Sequence, residues 1–270
     1  MVQRSGYSLG ELCWADVQTP DVAAAKAFYA AVFGWRYEDL PTPDGRSYAK
    51  AFLDDDLVAT VAPQPQQGGA PRPAQWNVYF AVVDARAAAE DARHAGGTVQ
   101  FGPEDIGDTG TMVFVDPPGG GATGIWQAGT HPGSGRHNEP GAFAWAELIT
   151  PEPQAAVGFF QQLFGHEVTE YPQDDGGTYT TLMVNGAEVA GVAPAPEEDE
   201  EDEEDEEDGD GDAGSRGWQV YFGVSSVKEA VLSAVSAGAE VLVEPEFDDD
   251  GGTIATLKDP QGGVFSVLEL

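Results

Sequence analysis

The sequence predicts an α+β protein made of four βαβββ units, which pair into two tandem domains with curved, mostly antiparallel sheets. Three observations predict this architecture. The second half of the chain repeats the first. Each half contains two units in which a helix follows a first strand and precedes further strands. Gly-rich or Pro-rich turns separate these elements. At 270 residues the chain is long enough to form two ordinary cores.

The repeat is visible in two blocks. Residues 10–63 align with residues 141–194 at a constant offset of 131 positions, so that Trp-Ala-acid, Thr-Pro-acid and Phe-Gly recur in register. Residues 76–80 then align with residues 218–222 at an offset of 142, and both carry the pattern Trp-x-Val-Tyr-Phe. Self-similarity of this kind indicates that each half is one copy of the same domain.

An acidic insertion accounts for the change in offset. Residues 197–212 contain 14 acidic residues and no basic one, where the first half has a short segment rich in Pro, Gln and Gly. Because like charges cannot collapse against each other, we predict a disordered loop at 196–214. The predicted organisation is a first domain at 1–129, a linker at 130–140 and a second domain at 141–270.

The first unit begins with a strand that ends near Gln18. Thr19 is the expected N-cap of the next helix, with Pro20 at its first position, and Gly34 is expected to end that helix. Apolar residues recur there at amphipathic-helix spacing: Val22, Ala25, Phe28, Tyr29, Val32 and Phe33. The later elements of this half are predicted as a helix at 84–95 and strands at 48–53, 57–62, 76–83, 98–101, 111–115 and 123–126. The alternative architecture is a ferredoxin-like α+β fold, which lacks the additional hairpin strands.

These motifs resemble those of the two-domain glyoxalase-like proteins of the vicinal-oxygen-chelate (VOC) superfamily, which includes bleomycin-resistance proteins and extradiol dioxygenases. The resemblance covers nearly the whole chain outside the acidic loop and the linker. It implies that two units enclose one groove in each half. It does not specify a function, because the superfamily also contains isomerases, epimerases, thiol transferases and non-catalytic drug-binding proteins.

The resemblance also implies where the metal-dependent members hold their ion. The corresponding positions are Trp14, Asn77 and Gly124 in the first half and Trp145, Gln219 and Ser266 in the second. Tryptophan and glycine side chains cannot bind a metal, and divalent ions require several imidazole or carboxylate ligands at one point. We therefore expect no metal and no other cofactor in either half.

The predicted ligand contacts lie on strands. Trp14 and Asp16 share one face of the first strand because side chains alternate with a period of two, and Trp145 and Glu147 share the equivalent face. We expect each pair to form an aromatic platform beside a carboxylate in its groove. The other candidate ligand-binding residues are Tyr48, Asn77, Tyr179, Gln219 and Ser266.

Several further residues are interpreted as structural. Tyr79 and Tyr221 lie in strands, where aromatic residues usually pack. Cys13 is expected to point to the face opposite Trp14, as a buried inert thiol. The four histidines do not form a site in this interpretation, and the two in the linker are expected to be solvated: His94, His131, His137 and His166.

The composition is strongly acidic. The chain has 47 Asp and Glu against 12 Lys and Arg, which gives a net charge of −35. Such a balance disfavours nucleic-acid binding, which needs clusters of Lys and Arg, and is typical of a protein adapted to high salt, with an acidic mesophilic protein as the alternative. A single cysteine and the lack of a long apolar run predict a cytoplasmic protein without membrane contact.

The sequence thus predicts a metal-free, small-molecule-binding VOC protein with one groove per domain, which exists as a monomer or a weak homodimer. One alternative is a VOC-type lyase, isomerase or hydroxylase-like oxygenase whose carboxylates hold a divalent metal ion: Asp16, Glu147, Glu188 or Glu269. Another is an interaction scaffold whose acidic loop contacts a basic partner.

Overall fold

The structure of the chain is a computed structural model that describes residues 4–42, 45–65, 71–173, 177–196, 216–247 and 253–270. The predicted acidic loop lies outside these residues from position 197 onward. No helix within the described ranges is long and apolar enough to cross a membrane.

The first half contains eight strands and two helices among the described residues. They are β1 (Leu12–Thr19), α1 (Val22–Phe33), β2 (Arg36–Pro41), β3 (Ser47–Leu53), β4 (Asp56–Pro63), β5 (Gln75–Val82), α2 (Ala85–His94), β6 (Thr98–Ile106), β7 (Gly110–Asp116) and β8 (Thr123–Ala128).

The second half repeats this order in the part of the chain that the structure describes. Its elements are β9 (Phe143–Thr150), α3 (Pro153–Phe164), β10 (Glu167–Pro172), β11 (Thr178–Val184), β12 (Ala187–Pro194), β13 (Gly217–Val224), α4 (Val227–Ser236), β14 (Glu240–Phe247), β15 (Thr253–Lys258) and β16 (Val264–Glu269).

Each half forms one open, eight-stranded sheet. The first has the order β2-β3-β4-β1-β5-β8-β7-β6 and the second the order β10-β11-β12-β9-β13-β16-β15-β14. In both, the two βαβββ units join through an antiparallel pair of their first strands, β1 with β5 and β9 with β13. The prediction of an α+β fold built from four such units is therefore confirmed.

The caps of α1 show how local sequence places the elements. The prediction of Thr19 as the N-cap is wrong, because Thr19 still belongs to β1 and the Asp21 carboxylate accepts a hydrogen bond from Ala24 N at 3.0 Å. Gly34 ends the helix in the left-handed conformation at φ 73°, as predicted, since that conformation costs glycine little. Strand β2 was not located from the sequence because most of its residues are exposed and no apolar alternation marks it.

The two halves share one hydrophobic core. Helix α1 packs against α4, and α2 packs against α3. The aromatic contacts between the halves follow the repeat. The ring centroids of Phe33 and Phe222 are 4.8 Å apart, and those of Phe164 and Phe80 are 5.1 Å apart. Because each sheet buries one face in this shared core, the opposite face of each sheet lies outside the core.

Candidate ligand grooves

A row of polar side chains crosses the sheet face opposite the shared core in the first half. Strand register aligns Asn77 with Asp16, Asp16 with Thr60, and Thr60 with Lys50, on β5, β1, β4 and β3. Aligned residues on neighbouring strands project to the same face. We call the face that carries this row the first groove.

The second half carries the equivalent row. Register aligns Gln219 with Glu147, Glu147 with Gly191, and Gly191 with Thr181, on β13, β9, β12 and β11. We call the face that carries this row the second groove. In both halves the acid stands at the centre of the sheet, on its first strand, where the two units meet.

Asp16 is the centre of the first groove. Asn77 Nδ2 donates a hydrogen bond to Asp16 Oδ1 at 2.7 Å, and the Tyr79 hydroxyl donates to Oδ2 at 2.6 Å. Burial raises the pKa of Asp16 to about 6, although both hydrogen bonds lower it. This carboxyl can therefore be neutral or ionised near neutral pH, and its partial exposure leaves it accessible from the groove.

Glu147 occupies the same place in the second groove. The Tyr221 hydroxyl donates to Glu147 Oε1, and burial raises the pKa of this carboxyl above its ordinary value. Trp145 Nε1 donates to the Tyr179 hydroxyl at 3.0 Å, and this phenol lies near Glu147, where it lowers the pKa of the carboxyl. The structure thus brings three predicted residues of the second half together and adds Tyr221.

Gln219 does not contact Glu147 as Asn77 contacts Asp16. Its Nε2 donates to Ser266 Oγ at 2.9 Å, and that hydroxyl lies 2.8 Å from Thr256 Oγ1. Ser266 aligns with Tyr221 as Gly124 aligns with Tyr79, so the predicted equivalence of these final-strand positions holds in the structure.

The walls of the first groove are aromatic. Buried Trp14, Tyr79 and Trp126 form one cluster, and the Phe114 ring lies 5.4 Å from that of Tyr79 in an edge-to-face arrangement. Tyr48 is half-buried on β3 and makes no hydrogen bond with the described residues. Its position two residues before Lys50 places it on the groove face.

Cys13 also belongs to this cluster, contrary to prediction. A bulge in β1 between Leu12 and Trp14 breaks the period-two alternation, so Cys13 and Trp14 lie in the same cluster. The thiol is buried, as expected, and donates to the backbone oxygen of Tyr79 at 3.3 Å. Burial raises its pKa, so it remains a protonated thiol.

The linker packs against the first groove, so the prediction of solvated linker histidines is wrong. The ring centroids of His131 and Trp14 are 4.4 Å apart, and Trp126 Nε1 donates to the His131 backbone oxygen at 2.9 Å. Burial, with a smaller contribution from the charge of Lys50, lowers the pKa of His131 to about 4. Further along, the Arg136 guanidinium binds the carboxylate of Asp56 at 2.7 Å and fixes the linker to the β3–β4 turn.

The other histidines lie outside both grooves. His166 is buried between the halves with Nε2 2.8 Å from the Gly10 backbone oxygen, and His137 packs its ring 4.8 Å from that of Phe143. His94 is exposed in the last turn of α2. No group of three or more His, Cys, Asp or Glu side chains that could hold a metal ion occurs among the described residues.

The donor set at the family's metal positions does not fit a metal ion. The Trp14 and Gly124 side chains offer no atom that can bind a metal ion, and the Tyr79 ring packs over the Gly124 α-carbon. The alternative carboxylates do not converge either. Glu188 is exposed and accepts from Thr181 Oγ1 at 2.9 Å, whereas Glu269 accepts from a backbone N–H at the start of α4.

Sequence reasoning missed the central roles of the two tyrosines. Tyr79 and Tyr221 lie two positions after Asn77 and Gln219, so strand alternation places each on the groove face beside its acid. That signal was present in the sequence. No comparable signal marks His131, because only the path of the linker brings it to Trp14.

Comparisons with known proteins agree with this architecture. The family model described as "Glyoxalase/Bleomycin resistance protein/Dioxygenase superfamily" matches residues 12–121, and a "Glyoxalase-like domain" model matches residues 145–268. The CFP32 protein of Mycobacterium tuberculosis, whose name assigns it to the glyoxylases, is 37% identical over 270 residues, which cover 100% of this chain and 98% of that protein. The anthracycline biosynthesis protein DnrV of Streptomyces peucetius is 32% identical over 285 residues, which cover 98% of this chain and 94% of that protein.

Solved structures show the same fold at lower identity. The Mn(II)-bound glyoxalase from Novosphingobium aromaticivorans superposes with a TM-score of 0.65 at 16% identity, covering 97% of this chain and 82% of that one. The 2,3-dioxygenase LapB from Pseudomonas sp. KL28 gives a TM-score of 0.65 at 15% identity, with coverages of 97% and 94%. On its sequence matches and its repeated βαβββ units, this chain belongs to the glyoxalase/bleomycin resistance protein/dioxygenase superfamily.

Proposed function

We propose that this protein binds small organic molecules in two metal-free grooves, one in each half. The observation that carries the proposal is the repeated constellation of a tryptophan, a half-buried acid with a raised pKa, and a tyrosine that donates to this acid. It consists of Trp14, Asp16 and Tyr79 in the first groove and Trp145, Glu147 and Tyr221 in the second.

This constellation is suited to a ligand with an aromatic or apolar body and a polar group. The indole supplies a flat apolar surface, and a partly exposed carboxyl donates a hydrogen bond when it is protonated and accepts one when it is ionised. The names of the relatives support a small-molecule ligand, because they refer to a glyoxylase and to anthracycline biosynthesis.

The metal-free character is proposed from the donor set. Each central carboxyl accepts a hydrogen bond from a phenol, and Trp14 and Trp145 occupy family positions where metal-dependent members place a ligand. The alternative of an enzyme with a divalent ion requires at least three convergent donors, which neither groove offers among its described residues. Elemental analysis of the purified protein tests this directly. About one tightly held transition metal per chain or per half would contradict the proposal.

Binding is tested with the uncharged aromatic probe N-phenyl-1-naphthylamine, titrated by fluorescence into the full chain. We expect two sites per chain. Replacing Trp14 or Trp145 with Ala should each remove one site, because the indole forms the apolar surface of its groove. Leu232→Ala, at an exposed position on α4, is the matched control and should leave both sites.

The two outcomes are distinct. Loss of one site in each tryptophan variant, with the other site retained, supports one groove per half. Unsaturable probe binding, or saturable binding that neither tryptophan variant changes, would overturn the proposal.

We also propose that the protein works in a cytoplasm of high salt concentration. A net charge of −35 destabilises the compact state by self-repulsion, and dissolved ions screen this repulsion. The melting temperature should therefore rise steadily between 0.1 M and 2 M potassium chloride. A melting temperature that is independent of salt would contradict adaptation to such an environment.

A further inference from the structure

The first groove contains a lysine that forms no ion pair with any residue that the structure describes. Lys50 is half-buried on β3, in the same polar row as Asp16, and forms no ion pair and no hydrogen bond with the described residues. Its neighbours in the strand, Ala49 and Ala51, are fully buried on the opposite, core side. The Lys50 ammonium therefore lies on the groove face, where its charge acts on His131.

This lysine is unusual within the chain. Only four lysines occur beside 47 acidic residues. Lys26 pairs with Asp39 at 2.6 Å, Lys258 pairs with Glu240 at 3.3 Å, and Lys228 is exposed on α4. Glu38 is aligned with Lys50 on β2, but it is exposed and forms no ion pair with Lys50. A half-buried ammonium without such a pair favours a ligand that brings an anionic group to it, because desolvating the charge without a partner is unfavourable.

The second groove lacks this cation at the equivalent position. Thr181 stands where the repeat places Lys50, and Glu188 stands where it places Leu57. Glu188 accepts hydrogen bonds from Thr181 Oγ1 at 2.9 Å and from the Tyr171 hydroxyl at 2.8 Å. No Lys, Arg or His lies in the described row of this groove, which therefore has acidic and neutral groups only.

We propose that the two grooves differ in the charge of the ligand they accept: the first binds an aromatic anion through Lys50, and the second excludes this anion in favour of a neutral or cationic ligand. The inference rests on the proposed binding function and adds the chemical class of each ligand. Strands in a sheet are spaced about 5 Å apart, so Lys50 and Asp16 lie two strands, or about 10 Å, from each other. A planar aromatic molecule of about that length reaches from Lys50 to Asp16, with Trp14 two residues before Asp16 on the same strand.

Two probes with the same ring system separate charge from shape. N-Phenyl-1-naphthylamine is neutral, and 8-anilino-1-naphthalenesulfonate is the same molecule with one sulfonate. At one fixed salt concentration, fluorescence titration of the full chain should give two sites for the neutral probe and one for the sulfonate. Lys50→Thr should weaken sulfonate binding about tenfold or more, since a hydrogen bond to a charged group contributes this much, and leave both neutral sites. Lys50→Arg, which keeps the charge, should retain sulfonate binding.

The reciprocal variant tests whether sulfonate binding can be transferred to the second groove. Thr181→Lys combined with Glu188→Leu gives the second groove the two residues of the first, and we expect a second sulfonate site in this variant. Thr181→Lys alone is the control, because Glu188 remains to pair with the new ammonium.

The failures are distinguishable. If the neutral probe shows no saturable binding, the proposed function fails. If the neutral probe binds but Lys50→Thr leaves sulfonate affinity unchanged, the binding function stands and the charge selection is wrong. An equal loss of both probes in Lys50→Thr would show that Lys50 acts through packing and would also overturn the charge selection.

Discussion

The two grooves share a scaffold but differ in how the central acid is bound. In the first, the short side chains of Asp16 and Asn77 meet directly across β1 and β5. In the second, both residues are one methylene longer, and Gln219 reaches Ser266 instead of Glu147. A duplicated sheet therefore fixes which residues face each other, whereas side-chain length and the final-strand residue decide which of them form hydrogen bonds.

The first half is less acidic than the second, just as the first groove contains a lysine that the second groove lacks. Residues 1–140 contain 17 acidic and 9 basic residues, whereas residues 141–270 contain 30 acidic and 3 basic residues. Lys50, which makes no ion pair in the described ranges, lies in the less acidic half. The duplication thus preserved the fold while electrostatics diverged, which is expected because surface and groove charges influence binding far more than they influence the fold.

The largest expected effect tests whether the halves are equivalent in their packing. Phe33→Ala and Phe164→Ala each remove a ring from the shared core, where these residues contact Phe222 and Phe80 respectively. Each substitution should lower the free energy of unfolding by about 3–5 kcal/mol, measured by urea denaturation. Phe101→Ala, at a side chain that is 48% exposed, is the control and should cost about 0.5 kcal/mol or less.

Equal losses in the free energy of unfolding for the two core variants would show that the two halves contribute equivalent packing to the shared core. A large cost in one half and a small one in the other would contradict the shared core and indicate that the halves unfold separately.

The next effect concerns the ionisation of the first groove. Because the pKa of Asp16 rises from 3.8 to about 6 on folding, the fold favours the protonated carboxyl, and stability is lost as the pH rises from about 4 through 6. Asp16→Asn removes this titration and keeps an acceptor for Asn77. The variant should match the wild type at pH 4 and exceed its stability by about 1–2 kcal/mol at pH 7, a value reduced for the partial exposure of Asp16. Urea denaturation at both pH values measures the difference, and a variant that is less stable at pH 7 would show that the ionised form is the one the fold favours.

The smallest expected effect distinguishes the side-chain amides of Asn77 and Gln219. Asn77→Ala removes a hydrogen bond that lowers the pKa of Asp16, so this pKa should rise by about 0.5–1 unit. Gln219→Ala should leave the pKa of Glu147 unchanged, because Tyr221 donates to that carboxyl whereas Gln219 donates to Ser266. Carbon-detected NMR titration of the side-chain carboxyls measures both. A comparable rise for Glu147 would place Gln219 in contact with it and remove the difference between the grooves.

Much of the fold could be predicted because its signals are local and repeated. The helix bounded by Gly34, its apolar face, and the alternation that pairs Trp14 with Asp16 each depend on residues close in sequence, and the second copy confirms the first. The exposed strand β2 and the Asp21 cap were missed, since neither differs from its surroundings in hydrophobic pattern.

The sequence by itself determined the duplication, the four βαβββ units, the acidic charge and the face on which each central acid stands. Only the tertiary structure decided that the bulge in β1 turns Cys13 toward the first groove, that the linker places His131 against Trp14, and that Lys50 forms no ion pair within the described part of the chain. These features depend on chain path and on the reach of side chains between distant strands. No short-range periodicity encodes them, because such contacts exist only once both sheets have packed against their common core.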